Sequence, residues 1–163
     1  EGQLEKFKSI LNEKKIALNI EFLNKNVYNT KLSDNSVDRI YSVEVAQHFE
    51  DMFSFANEMK RILKKDGKII FTTYFLKDPI HYQRLVKVLP HIEYNLDKLH
   101  LINDVQRDFN NAGFKSFSYK SIGEHVFFGY DKWLEQMNSN LWSRQFYQAF
   151  KQNIIDYYII YVE

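Results

Sequence analysis

Glu44 and His48 stand four residues apart in "VEVAQHFED". That spacing puts a carboxylate and an imidazole on one helical face if a helix starts that early. An imidazole with an ordinary pKa of about 6.5 can take a proton from a substrate hydroxyl or amine, so the pair is suited to acid/base chemistry. A structural reading competes with it: Glu44 caps backbone amides and His48 is a satisfied, half-buried imidazole. His125, in "GEHVF", is a second candidate proton acceptor. His81, His91 and His100 fall in an aromatic stretch without the spacing of a metal site, and no metal is expected. The absence of cysteine excludes disulfides, thiolate zinc sites and a cysteine nucleophile.

The elements that must position these residues follow from periodicity. Leu4, Phe7, Ile10 and Leu11 mark an amphipathic helix, and "NIEFL", Asn19 to Leu23, alternates as a strand. "LSDNSVD" supplies turn chemistry before a second strand, "RIYSV". Asp51 caps a helix whose stripe is Phe55, Met59, Ile62 and Leu63, with Glu58, Lys60 and Arg61 as its solvated face and "KKDG" as its basic last turn and glycine stop. "KIIFTTYF" then reads as the strongest strand. Strand, helix and strand without a tight hairpin predict a parallel βαβ unit, hence an α/β fold. The aromatic residues from Phe71 to Tyr82 are expected in its core.

Beyond Pro79, helices are predicted over Tyr82–Leu89 and Leu101–Asn111, the latter ended by Gly113. A strand at "KSFSYKSI", helices at "GYDKWLEQM" and Leu141–Gln152, and a strand at "DYYIIYV" complete the chain. The two late strands suggest an antiparallel pair at one sheet edge. Ligands of such sheets bind at the carboxyl ends of the parallel strands, which selects Asn24 to Val27, Val43 to His48 and Tyr74 to Asp78.

The 163 residues suit one domain, and 45% hydrophobic content supplies a core. A net charge of +1 with interspersed signs lacks the basic stripe of a nucleic-acid binder. No apolar run approaches the roughly 18 residues of a membrane span, and no signal-like start is present, so a cytoplasmic location is the expectation.

Taken together, Asn26, "DNSVD", "IYSVE", His48 and "RILKKDG" resemble the second half of a class I S-adenosylmethionine-dependent methyltransferase of the small-molecule, type 11-like branch. The match runs from Asn19 to Phe75. "GFKSFSYKSIGEHVFFGYDKW" and "IIDYYIIYV" look like the late, substrate-covering part and last strand of such enzymes. The resemblance implies a Rossmann-like sheet, mostly parallel with an antiparallel C-terminal edge strand. It implies a single partial domain: a cofactor-side core at 1–78, a helical covering region with one late strand at 79–155, and the last strand at 156–163. It also implies S-adenosylmethionine as cofactor, with Asn26 and Val27 on the adenine and Val43 and Glu44 bordering the methionine half. Asparagine replaces the family's usual aspartate, so a hydrogen bond to the adenine amine loses its charge assistance.

The family's glycine-rich loop and the acidic residue after its second strand have no counterpart, so an N-terminal βαβ unit of about 30 residues or more is expected to be missing. Two functions follow. One is methyl transfer to a small molecule, at an oxygen, nitrogen or carbon, with His48 or His125 as proton acceptor, although the 163 residues alone are expected to be inactive. The other is a truncated, catalytically inactive binding or assembly module, whose sheet is completed by a homo-oligomer.

Overall fold

The computed structural model describes residues 2–14, 19–89, 92, 98, 100–138 and 141–163; His91 lies outside them. They divide into two compact units, Glu1–Lys31 and Leu32–Glu163, and each is taken by itself. In the first, Gly2–Glu13 forms α1. Phe7 meets Phe22 edge-on, with ring centroids 5.8 Å apart. Asn19–Leu23 forms no strand, contrary to its alternation. Alternation defines two faces, but a strand also needs a neighbour to receive its ladder, and none is present among the described residues of this unit. The chain instead turns at Asn26, whose Oδ1 accepts the Tyr28 N–H at 2.8 Å.

The second unit is built on four strands: β1 (Val37–Val43), β2 (Leu63–Leu76), β3 (Phe117–Ser121) and β4 (Ile155–Val162), in the order β1-β2-β4-β3. β1 and β2 are parallel and joined through α2 (Met52–Ile62), as the βαβ pattern predicts. β4 runs antiparallel to both β2 and β3, so the late pair occupies one side of the sheet, with β4 inside and β3 outermost. The remaining helices are α3 (Tyr82–Val88), α4 (Ile102–Asn111), α5 (Gly123–Gln136) and α6 (Leu141–Lys151). α5 begins earlier than "GYDKWLEQM" suggested. The Asp156 carboxylate and the Phe150 ring come so close to Gly123 that a side chain there would meet both.

Both faces of the β2–β4 ladder are covered. On one, Phe71 stacks on Phe109 of α4 at 5.6 Å, and Phe109 meets Phe55 of α2 at 6.0 Å. On the other, Tyr74, Leu76, Ile155 and Tyr157 pack with Leu85, Phe127 and Ala149 of α3, α5 and α6. This explains why "IIFTTYFL" is apolar at nearly every position, since a strand covered on both faces has little need to alternate. No described helix is long and apolar enough to cross a membrane.

Asp51 caps α2 as expected, its two carboxylate oxygens accepting from Ser54 N at 2.9 Å and Ser54 Oγ at 2.5 Å. The other end differs from expectation. α2 stops at Ile62, and Lys64 to Gly67 lie within β2, opposite a register shift between Val37 and Arg39. Gly67 is therefore no helix stop: it has no positive φ, and a Cβ on it would lie 2.9 Å from the Lys64 carbonyl and collide with Leu63. Nor are Glu58 and Arg61 a solvated face. Glu58 is buried and accepts from Arg61 at 2.8 and 2.9 Å, while Arg61 also donates to the Leu32 carbonyl and Asp34. The guanidinium thereby pins the "DNS" turn to the end of α2.

The two glycines that sequence alone treats alike should respond differently. At Gly113, φ is +89° and nothing crowds the Cα, so asparagine, which tolerates the left-handed region, should be milder there than alanine. At Gly67 asparagine should be no milder than alanine, each costing about 1–3 kcal/mol by overpacking. Denaturant unfolding of the four variants measures the contrast.

Candidate functional site

β1 and β2 end side by side, and Glu44 is the first residue past β1. Its N–H donates to the Thr72 carbonyl at 3.0 Å, extending the ladder one step, while its φ of +54° turns the chain sharply out of the strand. The next turn is a short 3-10 helix, Ala46–His48, separate from α2. The expectation that Glu44 and His48 share a helical face is thus corrected: the left-handed residue breaks helical geometry before any i,i+4 relation can form.

What the turn does fix is Gln47. Its side chain is buried, donating through Nε2 to Glu44 Oε2 at 3.2 Å and accepting at Oε1 from Thr73 Oγ1 at 2.5 Å, while the Gln47 carbonyl accepts the Lys98 N–H at 2.6 Å. His48 is exposed on the same turn, and Val43 is exposed at the strand end. His100 closes the turn from outside. Its Nε2 lies 2.7 Å from the Phe49 carbonyl, a bond that an N–H must donate, and burial holds its pKa below the usual histidine value.

Tyr157 of β4 reaches this edge from across β2. Its hydroxyl donates to Thr72 Oγ1 at 3.3 Å. Burial, then the Glu44 carboxylate, push the phenol's pKa above the usual tyrosine value. Tyr130 of α5 is also raised, by burial and then by the Glu44 charge. On the opposite face of β4, burial pushes Tyr158 up to about 12.

The candidates from the sequence do not all meet. Glu44, Val43 and His48 share the β1 edge, whereas His125 lies on α5 in an open cleft of about 640 Å³ with Phe128, Tyr147 and Lys151. Asn26 and Val27 belong to the first unit, where Asn26 Oδ1 already accepts one N–H and retains the capacity of a carbonyl for a second. Among the described residues no group of three His, Cys, Asp or Glu could hold a metal ion. Gln47, Thr73 and Tyr157 were missed. "DYYIIYV" announces a strand but not which tyrosine reaches Thr72, because that depends on register against β2.

Residues 1–71 match the family model described as "Methyltransferase domain". No curated protein matches the chain in sequence. Among solved structures, a Galdieria sulphuraria protein assigned as a sarcosine dimethylglycine methyltransferase superposes with a TM-score of 0.79 at 16% identity, over 95% of this chain and 63% of that one. Geranyl diphosphate C-methyltransferase from Streptomyces coelicolor A3(2), in complex with Mg2+, geranyl diphosphate and S-adenosyl-L-homocysteine, gives 0.76 at 16%, over 94% and 57%. The (4+2)-cyclase SpnF gives 0.71 at 12%, over 95% and 60%. The chain thus has the class I methyltransferase fold, as the resemblance implied, and spans less than two thirds of the length of these structures.

Two outcomes are expected. Gln47→Leu should cost about 1–3 kcal/mol by stranding the buried Thr73 hydroxyl, and adding Thr73→Val should recover part of that in a double-mutant cycle. The raised phenols stabilise the fold fully below the unfolded tyrosine pKa of about 10. That contribution is lost as pH climbs toward about 12 for Tyr158, because the unfolded chain then binds fewer protons. Tyr158→Phe should accordingly flatten the alkaline fall in thermal midpoint.

Proposed function

We propose that this chain takes part in S-adenosylmethionine-dependent methyl transfer to a small-molecule acceptor. The observation that carries the reading is the edge formed by Val43, Glu44 and His48 at the carboxyl end of β1, in a class I methyltransferase fold whose first 71 residues match a methyltransferase domain. Carboxyl ends of parallel strands are where such sheets take ligands. When bound, the cofactor supplies an electrophilic methyl group.

On this reading Val43 and Glu44 border its methionine half. Asn26 and the Val27 backbone take the adenine, a role the spare acceptor capacity of Asn26 permits. His48 or His125 accepts the acceptor's proton, and their different places in the fold make them separable. Positioning supplies most of the acceleration.

A second reading is favoured by the outer side of β1, which among the described residues pairs only with β2 and leaves Tyr41 and Val43 69% and 66% exposed. There the protein is a catalytically inactive module whose sheet a second copy completes. SpnF, called a cyclase, shows that the fold does not dictate methyl transfer.

Calorimetry with S-adenosylhomocysteine and transfer from tritium-labelled S-adenosylmethionine test the proposal. The intact gene product carrying these residues should bind and transfer, with turnover reduced in His48→Ala or His125→Ala. Absence of binding by the intact product, together with dimerisation through β1, favours the second reading.

A further inference from the structure

The end of the sheet away from Glu44 holds a second cavity. β1, β2 and β3 begin there and β4 finishes there, and a cleft of about 520 Å³ opens between the end of α2, the start of β2 and the loop at residues 114–116. All of it belongs to the second unit. Lys60, Lys64, Lys65, Lys68 and Lys115 line the cleft, against the carboxylates of Asp66 and Glu163. Five lysines against two carboxylates leave a local excess of three positive charges, in a chain whose net charge is +1.

A break in the β1–β2 ladder puts two of these lysines there. Val37 pairs with Leu63 and Arg39 with Lys68, so two steps along β1 answer five along β2 and three residues of β2 are extra. A strand with extra residues bulges and re-aims its side chains. Lys64 and Lys65 stand on that bulge, and Gly67 lets it close tightly. In the sequence "KKDG" looks like the last turn of a helix, where lysines complement the dipole. Inside a strand that reason for the charge is gone.

Two of the ammonium groups are already matched: Lys64 Nζ lies 2.8 Å from Asp38, and Lys68 Nζ 2.6 Å from Glu163. No ion pair joins Lys60, Lys65 or Lys115 to a carboxylate among the described residues, and Asp66 is the lining carboxylate left to oppose them. Lys60 is instead seated on an aromatic face, its Nζ 4.6 Å from the centroid of the Phe114 ring. Unneutralised cations on one cleft repel one another, which works against the fold. A multivalent anion between them turns that repulsion into attraction.

We propose that this cleft binds a small ligand carrying two or more phosphate groups, with Lys60, Lys65 and Lys115 as its ammonium partners. Ammonium groups on long stems act as movable point charges, which suits clustered phosphate oxygens and needs no fixed planar fork. The volume falls in the range of small-molecule sites, roughly 300–1,000 Å³. A nucleic acid fits less well, because the charge is gathered in one concavity while the chain as a whole is near neutral. The cleft lies at the opposite end of the strands from Val43 and Glu44, so the proposal does not rest on the methyl-transfer reading.

Titration calorimetry of the intact gene product with inorganic tripolyphosphate tests it, at low ionic strength where exposed charges are least screened. Saturable binding is expected, weakened about tenfold in Lys65→Gln/Lys115→Gln, which changes two exposed side chains without ion pairs. Lys87→Gln/Lys120→Gln removes the same charge from exposed positions outside the cleft and should change affinity by less than about twofold. Equal weakening by both pairs means attraction to overall charge and overturns the proposal, as does the absence of saturable binding. Orthophosphate should bind about tenfold more weakly, because one phosphate group spans fewer ammonium groups; equal affinity overturns the multivalent ligand. A single-stranded oligonucleotide that competes for the cleft more tightly than tripolyphosphate overturns the small-ligand class. Were the double variant to fail to fold, Asp66→Asn still decides, since it removes the opposing carboxylate: binding should tighten about threefold, and unchanged or weaker binding overturns the proposal.

Discussion

The eight consecutive pairings between β2 and β4, from Ile69 opposite Val162 to Leu76 opposite Ile155, are the constraint on which the second unit depends. They bring together the apolar residues that α2 and α4 cover on one side and α3, α5 and α6 on the other. Because β4 runs against its neighbours, its first residues arrive at the same edge as the last residues of β1 and β2. A one-residue slip would send Tyr157 to the α2–α4 face and Tyr158 to the Glu44 side, exchanging two chemically identical rings between unlike surroundings. The buried aromatic packing on each face therefore fixes more than stability: it selects which phenol reaches Thr72 beside the strand-end edge.

Much of this architecture was legible because it is written in short-range patterns. The capped stripe from Asp51 to Ile62, the continuous apolar run of β2, and Gly113 behind α4 each carry a local physical signal, and each formed where expected. Failures came where a local signal needed a distant partner. Asn19–Leu23 alternates without a neighbour to pair with, and Gly67 resembles a helix stop while serving as a place where backbone and Leu63 come too close for a side chain. Glu58 and Arg61 look like surface charges until the turn at Leu32 and Asp34 closes on them.

The candidate site was readable as a place and not as a mechanism. Strand-end logic selected Val43 to His48, and the structure puts Glu44, Gln47 and His48 on one turn. The helical face proposed for Glu44 and His48 dissolved because one left-handed residue intervenes. Glu44 is met instead by Gln47, whose amide looks ordinary in the sequence, and by the Thr72 carbonyl of the neighbouring strand. Side-chain chemistry was visible residue by residue; the register that joins it was not.

Delivering Tyr157 on β4 has a consequence for how the protein comes into being. During synthesis Thr72 emerges long before Tyr157 does, and a contact so distant along the chain must wait for loop closure over everything between. A ribosome-bound chain ending before Ile155 exposes one long edge of β2 together with the apolar surfaces meant for β4, the sort of partly paired sheet that recruits other strands. The pairing of β4 is thus the late event that shields the sheet, so that a nascent chain stays open to aggregation until its last strand is in place.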